Sequence, residues 1–306
     1  MDNRSFKWNT ATALLQQTRF ARKAANWDTV LSSSTANWTR GRSPAAKSYT
    51  ALEIIVDTIL QMAKSAKQPY LSIIIPAFNE ARRLPETLRQ VHAFLQKQDY
   101  QSEILVVENG SMDDTYGTAD DLRAEIPNLT VMHEDVRGKG HAVRQGMLAA
   151  SGAYRFICDA DLSMPIEEVN RFLPPMLNEV PIMIASREAP GAVRYGEPEF
   201  RHLVGRAFNL LVRLVVLPGL NDTQCGFKCF RADAAEAVFP LVTIQGWTFD
   251  VEALFIARRM GYAIREVPIP WYHKPLSRVK VARDSIQMAL DLLRIRWRGL
   301  RGMYEP

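Results

Sequence analysis

From Tyr70 onward the chain alternates short β-branched apolar runs with longer stretches of helical periodicity, and no other feature limits its fold so strongly. Leu71 to Ile75 is an apolar run that Pro76 closes, and a helix is expected from about Glu80 to Gln96. A strand at Glu103 to Val107, a helix after Ser111 and a strand near Leu129 to Met132 follow. Next come a helix from Gly140 to Ala150, a strand ending at Asp159 and another fitting Ile182 to Ser186. Strands separated by about ten to fifteen helical residues build βαβ units, so the fold class is α/β with a mostly parallel central sheet flanked by helices. After Arg187 the alternation stops. Glu188 to Glu199 reads as a Gly/Pro-bearing loop, and Phe200 to Leu217 and Phe249 to Met260 read as helices. A last amphipathic helix, with Ala282, Ile286, Ala289, Leu290, Leu293 and Trp297 on one face, ends in a tail carrying Arg294, Arg296, Arg298 and Arg301.

Within this frame, Arg155-Phe156-Ile157-Cys158-Asp159-Ala160-Asp161 is an apolar run that ends in two carboxylates. Side chains at i and i+2 of an extended strand point the same way, so Asp159 and Asp161 are expected to aim at one point past the strand end. Ligands of open α/β sheets sit at that edge. A carboxylate pair there suits Mg²⁺ or Mn²⁺, hard cations that share oxygen ligands with substrate phosphates. The plainer reading is a polar turn in which Asp161 caps the next segment.

The other strand ends are polar too. Pro76-Ala77-Phe78-Asn79-Glu80 offers backbone N–H groups at a helix start. Glu108-Asn109-Gly110-Ser111 supplies acidic and amide groups suited to a base and a ribose, with Ser111 as a helix cap. Arg137-Gly138-Lys139-Gly140 reads as a diphosphate cradle at a helix N-terminus. It is not a Walker loop, and the absence of Gly-x-Gly-x-x-Gly after the first strand argues against a dinucleotide oxidoreductase. Four polar strand ends on one edge describe a site for a metal-bound nucleoside diphosphate.

Several segments then occur in a familiar order: Ile73-Ile74-Ile75-Pro76-Ala77-Phe78-Asn79-Glu80, Val106 to Ser111, Gly138-Lys139-Gly140, Asp159-Ala160-Asp161, Ala185-Ser186-Arg187, Asp222 to Lys228 and Gly246 to Glu252. Over roughly residues 68 to 295 the chain resembles inverting GT-A glycosyltransferases of family 2, especially the dolichyl-phosphate glucosyltransferase and polyprenyl-phosphate glycosyltransferase branch. The resemblance implies a GT-A fold and a metal-dependent hexosyltransferase. Asp161, assisted by Asp159, would hold a divalent metal, Mg²⁺ or Mn²⁺, on the donor diphosphate. Pro76, Ala77, Asn79, Glu80, Glu108, Asn109, Lys139, Asp159 and Ala160 would bind the donor. Relatives usually carry Asp-Asp-Gly-Ser where this chain has Glu108-Asn109-Gly110-Ser111, which leaves the choice between a UDP and a GDP donor open.

On the acceptor side the resemblance implies that Arg187, Arg201, Arg206 and Arg278 clamp a lipid phosphate, since the planar fork of Arg binds phosphate bidentately and stays charged. A hydroxyl acceptor would instead need a base, for which Asp250 is the candidate; first-turn acids such as Asp250 and Glu252 also suit the helix dipole alone. Trp271 and Ser277-Arg278-Val279-Lys280 resemble a segment that closes over the donor. The expected catalytic set is therefore Asp161, Asp250 and Arg187.

Composition sets the compartment and partners. Three cysteines in 306 residues, Cys158, Cys225 and Cys229, make no disulfide framework, and the last two read as buried thiols. No apolar run reaches membrane-span length, and Met1 to Val30 lacks the apolar core of a secretory signal. A cytoplasmic protein is expected, peripheral at most on the cytosolic membrane face. A net charge of +5 favours anionic partners. The expected partners are a nucleoside-diphosphate sugar, UDP-glucose first and GDP-mannose second, and a polyprenyl-phosphate lipid at a membrane surface. No nucleic acid is expected; a homo-oligomer is compatible with the sequence. One face of Phe200 to Leu217, with Val204, Phe208, Leu211, Val212 and Val215, could rest in a membrane interface, but a helix apolar on most sides is expected to be core. Rival readings are the same enzyme with a soluble or protein hydroxyl acceptor, a catalytically idle nucleotide-sugar-binding scaffold, and a nucleotidyltransferase.

Residues 1–67 read as an N-terminal extension, with a weak helix at Thr10 to Ala25, a linker from Ser32 to Ser48 and an amphipathic helix from Leu52 to Ala63. The GT-A domain is placed at 68–275 and a C-terminal helix with its basic tail at 276–306.

Overall fold

The computed structural model describes residues 68–176, 180–274 and 281–305. The helices, the linker and the boundary expected in the N-terminal extension lie outside the described residues, as do the boundary at 275/276, Arg278 and the rest of Ser277 to Lys280.

Seven strands form the central sheet in the order β3-β2-β1-β4-β7-β5-β8. They are β1 (Leu71–Ala77), β2 (Ser102–Asn109), β3 (Leu129–Glu134), β4 (Tyr154–Ile157), β5 (Ile182–Ser186), β7 (Lys228–Arg231) and β8 (Ile264–Pro268). Every pairing is parallel except those of β7, which runs antiparallel to both β4 and β5. Three helices join the parallel strands of the first half or flank them: α1 (Leu84–Leu95), α2 (Thr115–Asp121) and α3 (Lys139–Ala149). The second half carries α4 (Glu199–Val215), α5 (Ala232–Val238), α6 (Phe249–Arg259) and α7 (Val281–Leu300). A small parallel pair, β6 (Val193–Tyr195) with β9 (Pro270–Tyr272), stands apart from the main sheet.

Both faces of the sheet are covered, as parallel sheets require. Ile73 and Ile75 of β1 pack on one side with Leu88, Val91 and Phe172. Ile74, between them, points to the other side, where Val143, Leu254 and Ile256 fill the space. This period of two turns a continuous apolar run into two cores.

The structure departs from the expected elements where polar partners decide. Pro76 does not close β1, because β4 stops at Ile157, opposite Ile74, and leaves the following residues of β1 unpaired on that side. A residue without N–H fits there, and the strand runs on to Ala77, paired with β2 alone. The first helix begins at Leu84 rather than near Glu80; Arg83 and Leu84 both donate to the Glu80 carbonyl in a preceding turn. The strand expected to end at Asp159 ends at Ile157, so Asp159 and Asp161 sit on the turn beyond it. Leu162 completes that turn at φ +44°, a left-handed conformation uncommon for a branched side chain. The strands β6, β7, β8 and β9 and the helix α5 are additions to the sequence reading.

Candidate active site

The ends of β1 and β2 lock together before any ligand enters. Asn79, at φ +55°, donates its backbone N–H to Ser111 Oγ at 2.9 Å and accepts from Met112 N–H through Oδ1 at 2.7 Å. The Glu80 N–H reaches Thr115 Oγ1 at 2.8 Å. Its carboxylate pairs with Arg83 Nε at 2.6 Å. Glu108 is buried and accepts from the Ser111 N–H and from His133 Nδ1, the latter at 2.6 Å. That carboxylate raises the pKa of His133 above its usual value by hydrogen bonding, with Asp135 adding to it. Asn109, also buried, closes β2 beside it. Pro76 and Ala77, the last residues of β1, lie in register with Val107 and Glu108. The donor residues expected from the two strand ends are thus gathered at one sheet edge.

Gly138-Lys139-Gly140 is not a phosphate cradle. The N–H groups of Gly140 and His141, which an anion would need, already donate to the Gln245 carbonyl, at 2.8 and 3.3 Å. A Cβ on Gly138 would lie 2.2 Å from that same oxygen, and its φ of +139° suits glycine alone. The glycines are a joint between the start of α3 and the 245–247 loop. Only Lys139 projects from it. Its ammonium lies 2.5 Å from Asp159 Oδ1 and 5.6 Å from the centre of the Trp247 ring. Burial alone would lower the Lys139 pKa, but Asp159 and Asp250, with help from Asp161, hold it above the usual value.

Asp159 and Asp161 are brought together with Lys139. Asp161 Oδ1 accepts the Ser163 N–H at 2.9 Å, which is the turn-capping role, and this leaves its other oxygen outside that contact. Asp159 packs against Gly226, where a Cβ would lie 2.2 Å from Oδ2. Asp159 Oδ1 is buried and its partner is the Lys139 ammonium. Two neighbouring carboxylates, with one Asp161 oxygen outside the Ser163 contact, are oxygen donors of the kind a hard divalent cation takes when substrate phosphates complete its shell. The residues fit such a cation. Among the described residues no group of three or more His, Cys, Asp or Glu side chains could hold a metal by itself, so the phosphates would have to contribute. Ala160, between the two, is buried and gives its carbonyl to Thr87 Oγ1 at 2.7 Å, which pins the turn to α1.

Sequence reasoning missed Lys228, although it quoted the motif containing it. This buried ammonium lies 2.8 Å from Asp250 Oδ1 and 2.5 Å from the Cys225 carbonyl. Burial holds the Asp250 carboxyl above its usual range against the opposing pull of Lys228 and Lys139. Lys228 forms an ion pair with it. Glu252 is purely structural: it accepts from Thr243 N–H and Oγ1, Ile244 N–H and the Tyr304 hydroxyl, at 2.7 to 2.8 Å.

Arg187, expected on the acceptor side, spends much of its fork inside the protein. Nε and Nη2 donate to the two oxygens of Asp222 at 2.7 and 3.0 Å, and the Arg187 backbone N–H adds a third bond at 3.0 Å. Its guanidinium lies 5.6 Å from the centre of the Trp271 ring. Burial would raise the Asp222 carboxyl, yet Arg187 outweighs it and lowers the pKa to about 2. Arg201 and Arg206 stand on α4, Arg206 fully at the surface. His202 of that helix reaches Glu188, just past Arg187, at 3.4 Å. Cys225 and Cys229 are buried thiols, as is Cys158.

The profile described as Glycosyl transferase family 2 matches residues 72–239. The dolichyl-phosphate beta-glucosyltransferase of Dictyostelium discoideum is 33% identical over 250 residues, covering 77% of this chain and 76% of that protein. The enzymes of that name from Saccharomyces cerevisiae and Homo sapiens are 33% and 31% identical, each over 77% of this chain and 77% of theirs. Among solved structures, glucosyl-3-phosphoglycerate synthase from Mycobacterium tuberculosis, in complex with uridine diphosphate, superimposes with a TM-score of 0.56. That likeness, at 21% identity over 83% of this chain and 86% of the other, is one of fold. The same enzyme has been crystallised with Mn²⁺, UDP-glucose and phosphoglyceric acid.

Proposed function

The chain belongs to glycosyl transferase family 2, and on that premise we propose that it transfers glucose from UDP-glucose to a polyprenyl phosphate of the dolichyl type, inverting the anomeric carbon. The observation that carries this reading is identity of about a third, over three quarters of both chains, to dolichyl-phosphate beta-glucosyltransferases. GDP-mannose, the second donor expected, finds no support among these relatives.

The site supports the reading in its chemistry. The uridine would bind where Asn79, Glu108 and Asn109 close β1 and β2. A divalent cation held by Asp159 and Asp161 would neutralise charge on the departing diphosphate. Lys139, already drawn to Asp159, adds a second positive charge there. In the transfer an acceptor phosphate oxygen forms a bond to C1 while the bond from C1 to the diphosphate oxygen breaks, and the electron pair leaves with UDP. The phosphate is ionised at neutral pH, so no proton has to be removed. Arg187, Arg201 and Arg206 are the residues proposed to align that phosphate, and alignment with charge neutralisation would supply most of the rate. A phosphate acceptor leaves Asp250 the role of a buried ion-pair partner to Lys228, since no base is then needed.

The test is transfer from a panel of nucleotide sugars to a short-chain polyprenyl phosphate in membrane-free solution. UDP-glucose should be the preferred donor and the product a β-glucosyl phosphate by NMR. Preference for a hydroxyl acceptor, or failure to use UDP-glucose, would refute the proposal.

A further inference from the structure

The backbone between Asp159 and Asp161 is held by a side chain from another element. The Thr87 hydroxyl of α1 donates to the Ala160 carbonyl at 2.7 Å, and both residues are buried. Inside a helix a threonine hydroxyl commonly bonds the carbonyl four residues back. Thr87 instead reaches across 73 positions of sequence, to the peptide that separates the two carboxylates. The other hydrogen bonds of the turn involve backbone or its own side chains. Leu162 donates its N–H to the Asp159 carbonyl at 3.3 Å, and Ser163 donates to Asp161 Oδ1 at 2.9 Å. The Ser163 carbonyl accepts the Tyr272 N–H at 2.7 Å.

The Thr87 bond decides where Asp161 points. The carbonyl of Ala160 and the N–H of Asp161 belong to one rigid peptide plane, so fixing the first fixes the second. Leu162, next along, stands at φ +44°, a conformation that persists only where the surroundings impose it. A buried carbonyl that loses its donor is driven to find another. Without the Thr87 hydroxyl the 160–161 peptide would rotate, the strain at Leu162 would relax, and the Asp161 carboxylate would swing with them.

The same helix reaches the nucleoside end of the site. Arg83, in the turn that leads into α1, pairs with Glu80 at 2.6 Å, and the Glu80 N–H is fixed on Thr115 at 2.8 Å. Thr87 shares the buried side of α1 with Leu84, Leu88 and Val91, which holds it in place. A nucleoside diphosphate would have to extend from that strand end to the carboxylate turn. The helix is a rigid spacer between the two, and Thr87 is its contact at the carboxylate end.

We propose that Thr87 is a positioning residue for the metal-bound donor diphosphate. Its hydroxyl sets the Ala160–Asp161 peptide and so aims the Asp161 carboxylate at the cation. The inference rests on the donor reading given above.

The experiment is calorimetry on the purified full chain with UDP and with uridine, each in Mn²⁺ and in EDTA. Uridine reports on the ends of β1 and β2, and the Mn²⁺-dependent gain of UDP over uridine reports on the carboxylate turn. Thr87→Val exchanges the hydroxyl for a methyl of similar size. It should weaken UDP binding in Mn²⁺ by roughly three- to tenfold, the range that one hydrogen bond is worth. Uridine, and UDP in EDTA, should bind it as they bind wild type. Thr87→Ser keeps the hydroxyl and should restore UDP binding in Mn²⁺. A merely structural role would lower the melting temperature of Thr87→Val and leave all these affinities unchanged well below it. That result would overturn the proposal, as would an equal loss in Thr87→Ser or a parallel loss of uridine binding. Should Thr87→Val not fold, Thr87→Cys takes its place, since a thiol is a weaker donor; wild-type affinity for UDP in Mn²⁺ would then overturn the proposal. Wild type that binds neither UDP nor uridine would refute the donor reading and this proposal together. Mn²⁺-dependent binding by wild type, matched by the folded valine variant, would refute this proposal alone.

Discussion

Replacing Asp222 by Asn tests how much its buried pair with Arg187 stabilises the fold. Asp222 is fully buried and its two oxygens take three bonds from Arg187, so the change keeps the shape and removes the charge. The carboxyl sits at about 2 instead of the usual 3.8. At about 1.4 kcal/mol per pH unit, that interval corresponds to between about 2 and 3 kcal/mol of stabilisation of the folded state. Because the folded value is depressed, the contribution is fully present above the unfolded value of 3.8 and is lost as pH falls through about 2. The cost at neutral pH should be at least this large, since a largely buried guanidinium is left without its counter-charge; breaking one side of a buried pair costs about 3–5 kcal/mol. Urea unfolding of Asp222→Asn at pH 7 should therefore show a loss of about 2–5 kcal/mol. Between pH 4 and 2 the wild-type advantage over the variant should shrink. A variant within about 0.5 kcal/mol of wild type at pH 7 would refute the reasoning, because surface changes alone stay within that range. If Arg187 also aligns the acceptor, the folded variant should lose acceptor affinity more than donor affinity.

Much of this was legible in the sequence because the signals were local. The βαβ alternation gave the parallel half of the sheet, and the polar strand ends marked the edge that carries Asn79, Glu108, Lys139 and Asp161. What escaped depended on partners distant in sequence. Gly138 and Gly140 look like an anion cradle until the Gln245 carbonyl occupies their helix start. Lys228 is a charge in the middle of a Gly-Phe-Lys-Cys-Phe run, unreadable as core without Asp250 opposite it. The strand β7, four residues long, is too short to show a period, and its antiparallel pairing breaks the rule that the first half obeys. The expectation for Asp159 and Asp161 assumed an extended strand, whereas a turn with Leu162 at positive φ presents them. Periodicity revealed the apolar sides of α4 and α7 but carries no information about whether anything covers them; on α4 the expected burial holds for Val212, while Leu210, Leu211 and Leu214 are exposed.

The metal reading predicts that Asp161→Asn abolishes transfer while the fold and thermal midpoint stay near wild type; undiminished turnover by chelator-treated protein would exclude it. Gly138→Ala should be strongly destabilising, or should shift the 245–247 loop, because its Cβ would meet a backbone carbonyl at 2.2 Å; a melting temperature equal to wild type would contradict that joint. Glu252→Ala should lower stability by several kcal/mol through the four donors it strands; normal stability with lost activity would instead make Glu252 part of the chemistry. The last prediction concerns pH. Glu108 raises the pKa of His133, so the charged pair is fully formed below the unfolded value near 6.5 and is lost as pH rises through the folded one. If Glu108 contacts the base as proposed, nucleotide binding measured by calorimetry should change above neutrality, as His133 releases its proton and the Glu108 carboxylate loses a cationic neighbour. His133→Gln should flatten that pH dependence. An NMR titration placing His133 at or below 6.5 would show that Glu108 does not hold it charged.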